Sequence, residues 1–529
     1  MRRQPYRNFG GVDPYPLISP GFLGLNTELV SAAGNIDGQW ALDLREAVFD
    51  EFGTISTRKG WENATTTAMT GGPSVTRLFE FLDISGNAKL IGQTTDKLWL
   101  STDDGDSWSD ITGSVAFSGV TWKFVNFYGS VVGAAPGYKP IVYTGSGNFA
   151  EVTAGSGAVP TTNGTITSAY GRVWVGEDAT GAVVYCALLD VTLWATADGA
   201  GSIDPSNVWT QGQDEVMGLA AFGANFCIFG KRHILIYVDG AGSTVGIDPD
   251  NMYIVDTIEG TGLACRDSIV PVGEGDLLFV STIGVQSLRR VVSDKNNPLT
   301  DVTRWQRSLV KQLVAAETAD GRYSVQGIYN PINQFVLYLF PASQRILMLD
   351  TRFPMQDGTL RAAEWRSQTH TCLLSRLDGT VLFGRSDGKV ATYSSYRDNG
   401  TAYALIYGSP WLDGGPQLAD RIKHPKRVTF DIVGRETLTV ITRWGFDFRG
   451  LEYSNTQTND YVASGSEWAL GEWNEAEWSG GIRSRRGYTP MSANGYVFKV
   501  WFSITSTDVS ERAAIRRLAV FFRTGRYSS

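Results

Sequence analysis

Short segments of alternating apolar and polar residues recur along most of the chain. Between residues 75 and 396, turns rich in Gly, Asp and Asn separate these segments, and larger units return at intervals of about 45 to 55 residues. The first unit reads VTRLFEFLD, NAKLIGQT, DKLWLST and SWSDIT, and the second reads VTWKFVNFY, SVVGAA, PIVYTG and FAEVT. Four strand-length runs per unit at near-even spacing favour an all-β propeller over a simple sandwich. The pattern predicts about seven blades and also allows six or eight.

One segment departs from this strand pattern. Residues 300–318 place Trp305, Leu309 and Leu313 at helical spacing, and Thr300 or Asp301 is a suitable N-terminal cap. The sequence predicts an amphipathic helix that covers a blade edge, with a partner-docking helix as the alternative.

The pattern changes again after about residue 400. Longer strands read RVTFDIV, LTVITRW, YVFKVWFSI and RLAVFFR, with Phe498, Val500, Phe502 and Ile504 on one face. Such strands predict a separate antiparallel, β-sandwich-like platform domain. Residues 1–70 carry strand-like pieces too few for a core of their own, so we expect them to join this platform. The predicted domains are therefore 1–70 with 401–529 for the platform and 71–400 for the propeller.

A long polar stretch, 445–496, is predicted as a loop, and its tryptophans recur every five residues. Five matches neither the helical nor the strand period, so one regular element cannot place all three indoles on one face. They either cap their own sheet or form an intermolecular interface, where Trp and Arg are enriched. A basic run, Arg483-Ser484-Arg485-Arg486, follows the tryptophans. It is a solvated loop, a contact with a neighbouring subunit, or a site that binds DNA phosphates. The candidate assembly interface comprises Trp468, Trp473, Trp478, Arg483, Arg485 and Arg486.

Composition narrows the class of protein. Lys and Arg total 46 against 54 Asp and Glu, a net charge of −8, which argues against a sequence-reading nucleic-acid binder. The four cysteines are far apart and only three histidines are present, so we expect no disulfide framework or zinc site but buried small side chains in a protein made in a reducing cytosol. The pattern also predicts no secretory signal and no membrane-spanning segment.

The most specific local motif is STDDGDSW at residues 101–108, which fits the Asp-box pattern S-x-D-x-G-x-[ST]-W. In such a hairpin turn the Asp binds turn amides, the Gly adopts a positive φ, and the Trp packs beneath. A calcium site is the weaker alternative, because the ligand order of an EF-hand and its closing Glu are absent. The predicted structural turn residues are Ser101, Asp103, Gly105, Ser107 and Trp108.

The sequence assembles no catalytic motif. It lacks the repeated boxes and arginine triad of sialidases, a G-x-S-x-G elbow, an HExxH helix and a phosphate-binding loop. We therefore expect no enzyme activity, no catalytic residues, no metal and no cofactor.

Several ordered features resemble the tail hub or nozzle family of short-tailed phages, which includes packaged-DNA stabilisation and tail tubular protein B-like proteins. The resemblance covers nearly the whole chain. It rests on the order of several motifs and on how much of the chain they span, because each motif alone is short. The first motifs are GFLGLN at 21–26 and LDLREAVFDEFGTISTRKG at 42–60. The others are Asp204-Pro205, Trp209, DEVMGL at 214–219, Phe229-Gly230, His233-Ile234, Gly262, Ser268-Ile269, DLLFVSTIG at 276–284 and the segment 512–526.

This resemblance implies a structural virion protein, made in the host cytoplasm and located in the tail. It implies a hexameric ring that docks below a portal adaptor, contacts a fibre, spike or needle protein, and conducts double-stranded DNA without reading its sequence. The alternative is a sialidase-like or carbohydrate-binding propeller, motivated by the Asp box and by tryptophans, which stack well on sugar faces.

Overall fold

A computed structural model describes residues 13–19, 22–28, 39–49, 54–64, 68–69, 72–209, 212–240, 249–273, 275–294, 301–317, 325–366, 369–414, 420–434, 437–449, 455–461 and 483–527. The chain divides into two compact units. The propeller unit comprises 63–346 and 368–393, and the platform unit comprises 1–62, 347–367 and 394–529. The predicted propeller range, 71–400, thus includes a segment, 347–367, that belongs to the other unit.

Among its described residues the propeller unit contains six small sheets and the first strands of a larger one, in seven successive blades, which confirms the predicted all-β propeller class. Blade 1 consists of Arg77–Leu82, Ala88–Gln93, Leu98–Ser101 and Ser109–Asp110. Blade 2 consists of Lys123–Phe127, Ser130–Ala134, Ile141–Tyr143 and Ala150–Glu151. Blade 3 consists of Pro136–Tyr138, Thr162–Ala169, Arg172–Glu177, Val183–Tyr185 and Gly201–Ile203. Blade 4 consists of Val216–Phe222, Asn225–Gly230, His233–Asp239 and Met252–Glu259.

The remaining three blades are built less regularly. Blade 5 consists of Val270–Val272, Asp276–Val280 and Val285–Ser287. Blade 6 begins with Gln326–Asn330 and Phe335–Phe340, and the division between the units falls inside its next strand, Arg345–Asp350. Blade 7 consists of His370–Ser375, Val381–Arg385 and Val390–Thr392, joined by the short strand Glu62–Asn63.

Large apolar side chains fill the spaces between successive blades. One buried cluster joins Phe81 and Ile91 of blade 1 to Trp122 and Tyr143 of blade 2. Separate clusters lie between blades 2 and 3, blades 3 and 4, and blades 4 and 5. Burial of apolar area between neighbouring blades is therefore the main stabilising term of this unit.

The ring closes between blade 7 and blade 1. A buried cluster joins Trp99 and Leu78 of blade 1 to Cys372 and Leu382 of blade 7. The segment that precedes blade 1 also runs along blade 7, where the Ala64 amide donates to the Val390 carbonyl oxygen at 2.9 Å. Because residues from the start of the unit complete its last sheet, opening the ring would break backbone hydrogen bonds as well as apolar contacts.

Two α-helices interrupt the strands in the part of the propeller that the structure describes. The predicted helix is present as a 3-10 turn, Arg304–Gln306, followed by the α-helix Arg307–Ala316, whose buried residues include Leu309 and Leu313. Its predicted cap is wrong, because Asp301 instead accepts the Thr303 amide and pairs with Arg307. A second α-helix, Leu288–Asp294, directly follows the last strand of blade 5, Val285–Ser287. Short 3-10 turns occur at Thr196–Asp198 and Pro249–Asn251.

The platform unit is built from two larger sheets. One has the order Arg483–Pro490, Arg421–Gly434, Ala514–Tyr527, Ile55–Thr57 and Ala47–Val48, with Asp13–Ile18 also paired to Ala514–Tyr527. The other contains Arg361–Trp365, Asp43–Arg45, Ala404–Gly408, Phe498–Ser506, Leu438–Phe446 and Asn455–Tyr461. A parallel pair, Gly24–Leu25 with Trp40–Ala41, completes the described strands.

The two platform sheets pack face to face through aromatic rings. The Phe430 ring lies 5.1 Å from that of Phe502, and the Phe498 ring lies 5.8 Å from that of Phe522. The predicted apolar face from Phe498 to Ile504 is fully buried. This arrangement is a β-sandwich, to which the segments before and after the propeller both contribute strands.

A buried arginine connects the contributing segments. The Arg58 side chain is fully buried and donates to Glu46 at 2.5 Å and to both carboxylate oxygens of Asp398 at 2.8 Å. The Tyr403 ring lies 4.1 Å from its guanidinium carbon. Burial opposes the charged form, but Glu46 and Asp398 outweigh it and raise the pKa of Arg58.

Two polar strands interrupt the stretch predicted as a loop, 445–496. Asn455–Tyr461 pairs with Leu438–Phe446, and Arg483–Pro490 pairs with Arg421–Gly434. Both lie at sheet edges, where mostly polar side chains satisfy the pairing without an apolar face, so the hydrophobic pattern does not mark them. The four cysteines are buried, as predicted, and none is part of a disulfide.

Candidate functional site

The Asp-box turn uses its polar groups internally. Asp103 accepts the Ser101 hydroxyl at 2.7 Å, the Ser107 amide at 3.0 Å and the Ser107 hydroxyl at 2.5 Å. Gly105 has a φ of 104°, which a side chain would strain, and its amide donates to Ser101 at 2.8 Å. The Ser107 and Ser101 hydrogen bonds lower the pKa of Asp103 to about 2. The carboxylate is therefore committed to holding the turn.

The rest of the box contacts neighbouring strands. Trp108 is half-buried and lies against Gly92, whose added Cβ would meet the indole at 3.0 Å. Asp104 pairs with Arg376 of blade 7 at 2.8 Å, and Arg376 also binds Glu80 of blade 1 at 3.0 Å. The box thus contributes to closure of the ring.

The candidate assembly interface is only partly described. Trp468, Trp473 and Trp478 lie outside the described residues. Arg483 begins the edge strand Arg483–Pro490, where its backbone pairs with Gly434. Arg485 donates to the Tyr461 carbonyl oxygen at 2.7 Å. The exposed Arg486 forms a forked pair with Asp431 at 2.7 and 3.2 Å. The basic run is therefore a paired strand in its own sheet, and the interface assignment stays a prediction.

A buried charge cluster lies at the centre of the propeller. The Asp267 carboxylate forms ion pairs with Arg266 at 2.8 Å, with Arg77 at 2.9 Å and with Lys123 at 3.9 Å. Arg266 also donates to the Gly164 carbonyl oxygen at 3.0 Å. These side chains come from blades 1, 2 and 5 and reach blade 3, so one carboxylate ties non-adjacent parts of the ring together. We name Arg77, Lys123, Arg266 and Asp267 the axial charge cluster.

The axial charge cluster has three cations and one carboxylate. Burial disfavours ionised Asp267, but Arg266, Arg77 and Lys123 outweigh it and lower its pKa to about 2. Burial also lowers the pKa of Lys123 to about 8, because attraction to Asp267 does not offset burial and the nearby arginines.

A cavity of about 400 Å³ opens beside this cluster. Arg77, Asp267 and Gln326 line it near the starts of innermost strands, and Pro331 and Leu377 line it in the turns that follow such strands. Phe79, Phe124, Ile269 and Ile328 supply apolar walls. We call this space the axial cavity; its volume and mixed lining are typical of a pocket for a few side chains or a small ligand.

The axial charge cluster was not predicted from the sequence, although one pattern marks part of it. Arg77 and Lys123 are each the first residue of the innermost strand in their blades. Alignment of VTRLF with TWKFV across the first two units would place both cations at one repeat position. Arg266 and Asp267 precede their strand and have no such counterpart.

Several residues that carry the family resemblance stabilise a turn in blade 4. The Asp214 carboxylate accepts the amides of Lys231, Arg232 and His233 at 2.8 to 3.0 Å, and the His233 ring nitrogen Nδ1 lies 2.9 Å away. Trp209 lies over the His233 ring at 5.6 Å. Burial opposes ionisation of Asp214, but these hydrogen bonds lower its pKa.

No protein-family model matches this chain, and the comparison with curated proteins gives no match. Among solved structures it is similar to the WD40 β-propeller domain of Doa1, at 12% identity over 63% of this chain and 96% of that one, with a TM-score of 0.37. The similarity to the Neurospora crassa Pan2 WD40 domain has 9% identity over 63% of this chain and 95% of that one, with a TM-score of 0.37. PorZ of the type-IX secretion system of Porphyromonas gingivalis gives 9% identity, 69% and 44% coverage, and a TM-score of 0.37.

A metal site in the described ranges would need several donor side chains close together, and a membrane span would need a long apolar helix. Within those ranges, no three His, Cys, Asp or Glu side chains come close enough together to hold a metal ion. None of the helices in the described part of the chain has the length and apolar character needed to span a membrane.

Proposed function

We propose that this protein is a structural component of a virion tail, a nozzle or hub that docks below the portal adaptor. In this role it would retain the packaged genome and form part of the channel for DNA ejection. The proposal includes a hexameric ring and contact with a fibre, spike or needle protein.

The observation that carries the proposal is the composition of the platform unit. Its sandwich takes strands from both sides of the propeller: Asp13–Ile18 pairs with Ala514–Tyr527, and Asp43–Arg45 pairs with Ala404–Gly408. The strand pattern of the sequence predicts this shared platform, and the resemblance implies a platform that docks on the portal adaptor. The net charge of −8 is also compatible with DNA passage, since phosphate-binding lysines would retard a moving duplex.

Native mass spectrometry and electron microscopy of the full chain test this proposal. We expect a ring of six 57.7 kDa chains, formed by the protein alone or on addition of the portal adaptor. A monomer that persists at all soluble concentrations, with and without the adaptor, would contradict the proposal. A sequence-specific shift of short DNA duplexes would also contradict it.

The alternative, a sialidase-like or carbohydrate-binding propeller, gains no specific support from the Asp box. The Asp103 carboxylate is engaged within its own turn, and Trp108 is half-buried against Gly92. Binding on a glycan array or release of a reporter sugar by the purified chain would favour this alternative over the tail function.

A further inference from the structure

One sheet of the platform sandwich has an outer side that is open to solvent. The strands concerned are Arg483–Pro490, Arg421–Gly434 and Ala514–Tyr527. Val428 and Phe430 of the middle strand are buried inside the sandwich. Arg427, Thr429 and Asp431 alternate with them along the strand, so they lie on the opposite, outer side.

The register of the three strands arranges the outer residues in rows across the sheet. The rows are Pro490, Arg427 and Phe521, then Tyr488, Thr429 and Ala519, then Arg486, Asp431 and Arg517. Arg523 lies two residues beyond Phe521 on the same side, and Lys426 is exposed at a bulge beside Arg427. We call this surface the basic face and define it by its charged residues and one tyrosine: Lys426, Arg427, Asp431, Arg486, Tyr488, Arg517 and Arg523.

Four of the five cations on the basic face have no counter-charge. Asp431, the one carboxylate among the residues that define this face, is paired with Arg486 at 2.7 Å. Within the described ranges, the other cations form no ion pair and no hydrogen bond through their side chains; they are Lys426, Arg427, Arg517 and Arg523. Five cations and one carboxylate give the face a net charge of +4, in a chain whose net charge is −8. Positive charge is therefore concentrated on one surface of an acidic protein.

The composition of the basic face favours a phosphate backbone over a protein surface as its partner. Protein–protein interfaces have an apolar, desolvated centre, whereas interfaces with DNA are more polar and much more positively charged. The central row here contains Thr429 and Ala519, and Tyr488 is the one large side chain of that row, 61% exposed. Phe521 is half-buried and lies under the Arg427 guanidinium at 5.0 Å. The face thus has exposed cations around a centre with little apolar surface.

The cations are spread widely enough to reach several phosphates of one duplex. Arg517 and Arg523 are six residues apart on one strand, which corresponds to about 20 Å. Double-stranded DNA carries one negative charge for about every 1.7 Å of its axis, so several phosphates lie within that length. Contacts with phosphates carry no information about base sequence.

We propose that the basic face binds the phosphate backbone of double-stranded DNA without reading its sequence. Lys426, Arg427, Arg517 and Arg523 contact phosphates, and the negative charge of the rest of the chain disfavours contacts elsewhere. Phosphate contacts retard a moving duplex, so this face suits retention of the genome rather than its passage. The inference rests on the proposed tail function and names the surface through which the protein holds DNA.

Fluorescence anisotropy of a labelled duplex of mixed sequence, titrated with the full chain, tests this inference. We expect a dissociation constant of roughly 1 to 100 μM near physiological salt, the range of non-specific binding. The logarithm of the association constant should fall with the logarithm of salt concentration with a slope of about −4, because four unpaired cations each neutralise about one phosphate.

Removal of three of these cations should nearly abolish the salt dependence. The variant Arg427→Gln, Arg517→Gln and Arg523→Gln should bind about ten-fold or more weakly at low salt, with the slope reduced by about 3. The matched control is Lys139→Gln, Arg232→Gln and Lys311→Gln, which removes three exposed cations of the propeller unit and changes the net charge equally. This control should keep the wild-type slope.

Removal of the carboxylate should have the opposite effect. Asp431→Asn releases Arg486 and takes away the negative charge of the basic face. Affinity for the duplex should rise about three-fold or more at low salt, and the slope should steepen by about 1. The matched control is Glu151→Gln, which removes an exposed carboxylate from the outermost strand of blade 2 and should change affinity less.

Several outcomes would overturn the inference. These are no binding of the duplex at low salt, equal losses in the two triple variants, or a clear preference for one duplex sequence. If the basic-face triple variant melts below the wild type, Asp431→Asn and its control decide alone. Tighter binding to anionic lipid vesicles than to the duplex, lost in the basic-face variant, would assign the face to a membrane surface. Self-association lost in that variant, with DNA binding unchanged, would assign the face to a second copy.

The same measurements separate this inference from the tail function. A chain that forms the six-membered ring but binds no duplex would overturn the DNA-binding face and leave the tail function standing. A persistent monomer that binds DNA through the basic face would contradict the tail function and leave the face standing.

Discussion

At the scale of single residues, the most consequential side chain is a carboxylate that serves several blades. Asp267 is nearly inaccessible and is surrounded by Arg266, Arg77 and Lys123. A buried ion pair contributes little net stability when compared with apolar residues, but removing one partner leaves buried charges without compensation. Asp267 is therefore a residue whose loss the ring should tolerate poorly.

Replacement of Asp267 by Asn should lower the free energy of unfolding by about 3 kcal/mol at pH 7, because three cations lose the carboxylate that they share. Since the folded pKa of Asp267, about 2, lies below its unfolded value, its contribution is present above pH 4 and is lost as pH falls towards 2. The difference in stability between wild type and Asp267→Asn should therefore shrink over that interval. Urea unfolding followed by tryptophan fluorescence measures both effects.

The control for this substitution is Asp431→Asn, which removes a carboxylate paired with the exposed Arg486. Exposed pairs are screened by solvent, so this variant should unfold close to the wild type. If Asp267→Asn and Asp431→Asn lost the same free energy of unfolding, the position of Asp267 on the propeller axis would be unimportant for stability.

At the scale of elements, closure of the ring depends on close approach between blades 7 and 1. Gly384 lies in the second strand of blade 7, and a Cβ there would collide with the Cys372 sulfur and meet Val75 at 3.0 Å. Cys372 is buried in the cluster that joins the two blades. The space at Gly384 is thus filled by its neighbours, with no room for a larger residue.

Gly384→Ala should destabilise the propeller by about 1 to 3 kcal/mol, because the added methyl overpacks this joint. The same change in a Cys372→Ala background should cost less, since the sulfur that it would meet is gone. A double-mutant cycle from urea unfolding measures the coupling between the two positions. Additive effects would place the strain of Gly384→Ala somewhere other than the Cys372 contact.

At the scale of the whole molecule, three separate segments of the chain make up the platform unit. Residues 1–62, 347–367 and 394–529 build one body, and the buried Arg58 of the first segment pairs with Asp398 of the last. Neither terminal segment has a complete set of strand partners by itself, because Ile55–Thr57 and Asp13–Ile18 both pair with Ala514–Tyr527.

A fragment of residues 394–529 expressed alone should therefore not fold cooperatively. Loss of its N-terminal strands exposes strand edges and apolar faces that the full chain covers. Near-ultraviolet circular dichroism should show little fixed aromatic packing, and urea unfolding should lack a sigmoidal transition. A fragment that unfolds in one sharp transition would show that residues 13–62 are dispensable for this unit.

The sequence by itself determined the class of fold and the elements that have a strong local pattern. The alternation of apolar and polar residues predicts the strands of blades 1 and 2 and the sandwich strands around Phe430 and Phe502. Successive residues of a strand point to opposite faces, so neighbouring residues show which face is buried. The buried cysteines and the helix Arg307–Ala316 follow from equally local patterns.

Only the tertiary structure decided which distant segments meet. The strand Glu62–Asn63 belongs to the sheet of blade 7, and the polar edge strands Asn455–Tyr461 and Arg483–Pro490 have no apolar face to reveal them. The axial charge cluster assembles Arg77 and Asp267 from positions 190 residues apart. Such contacts depend on ring closure, because hydrogen bonds and ion pairs between remote segments leave no periodic trace in the sequence.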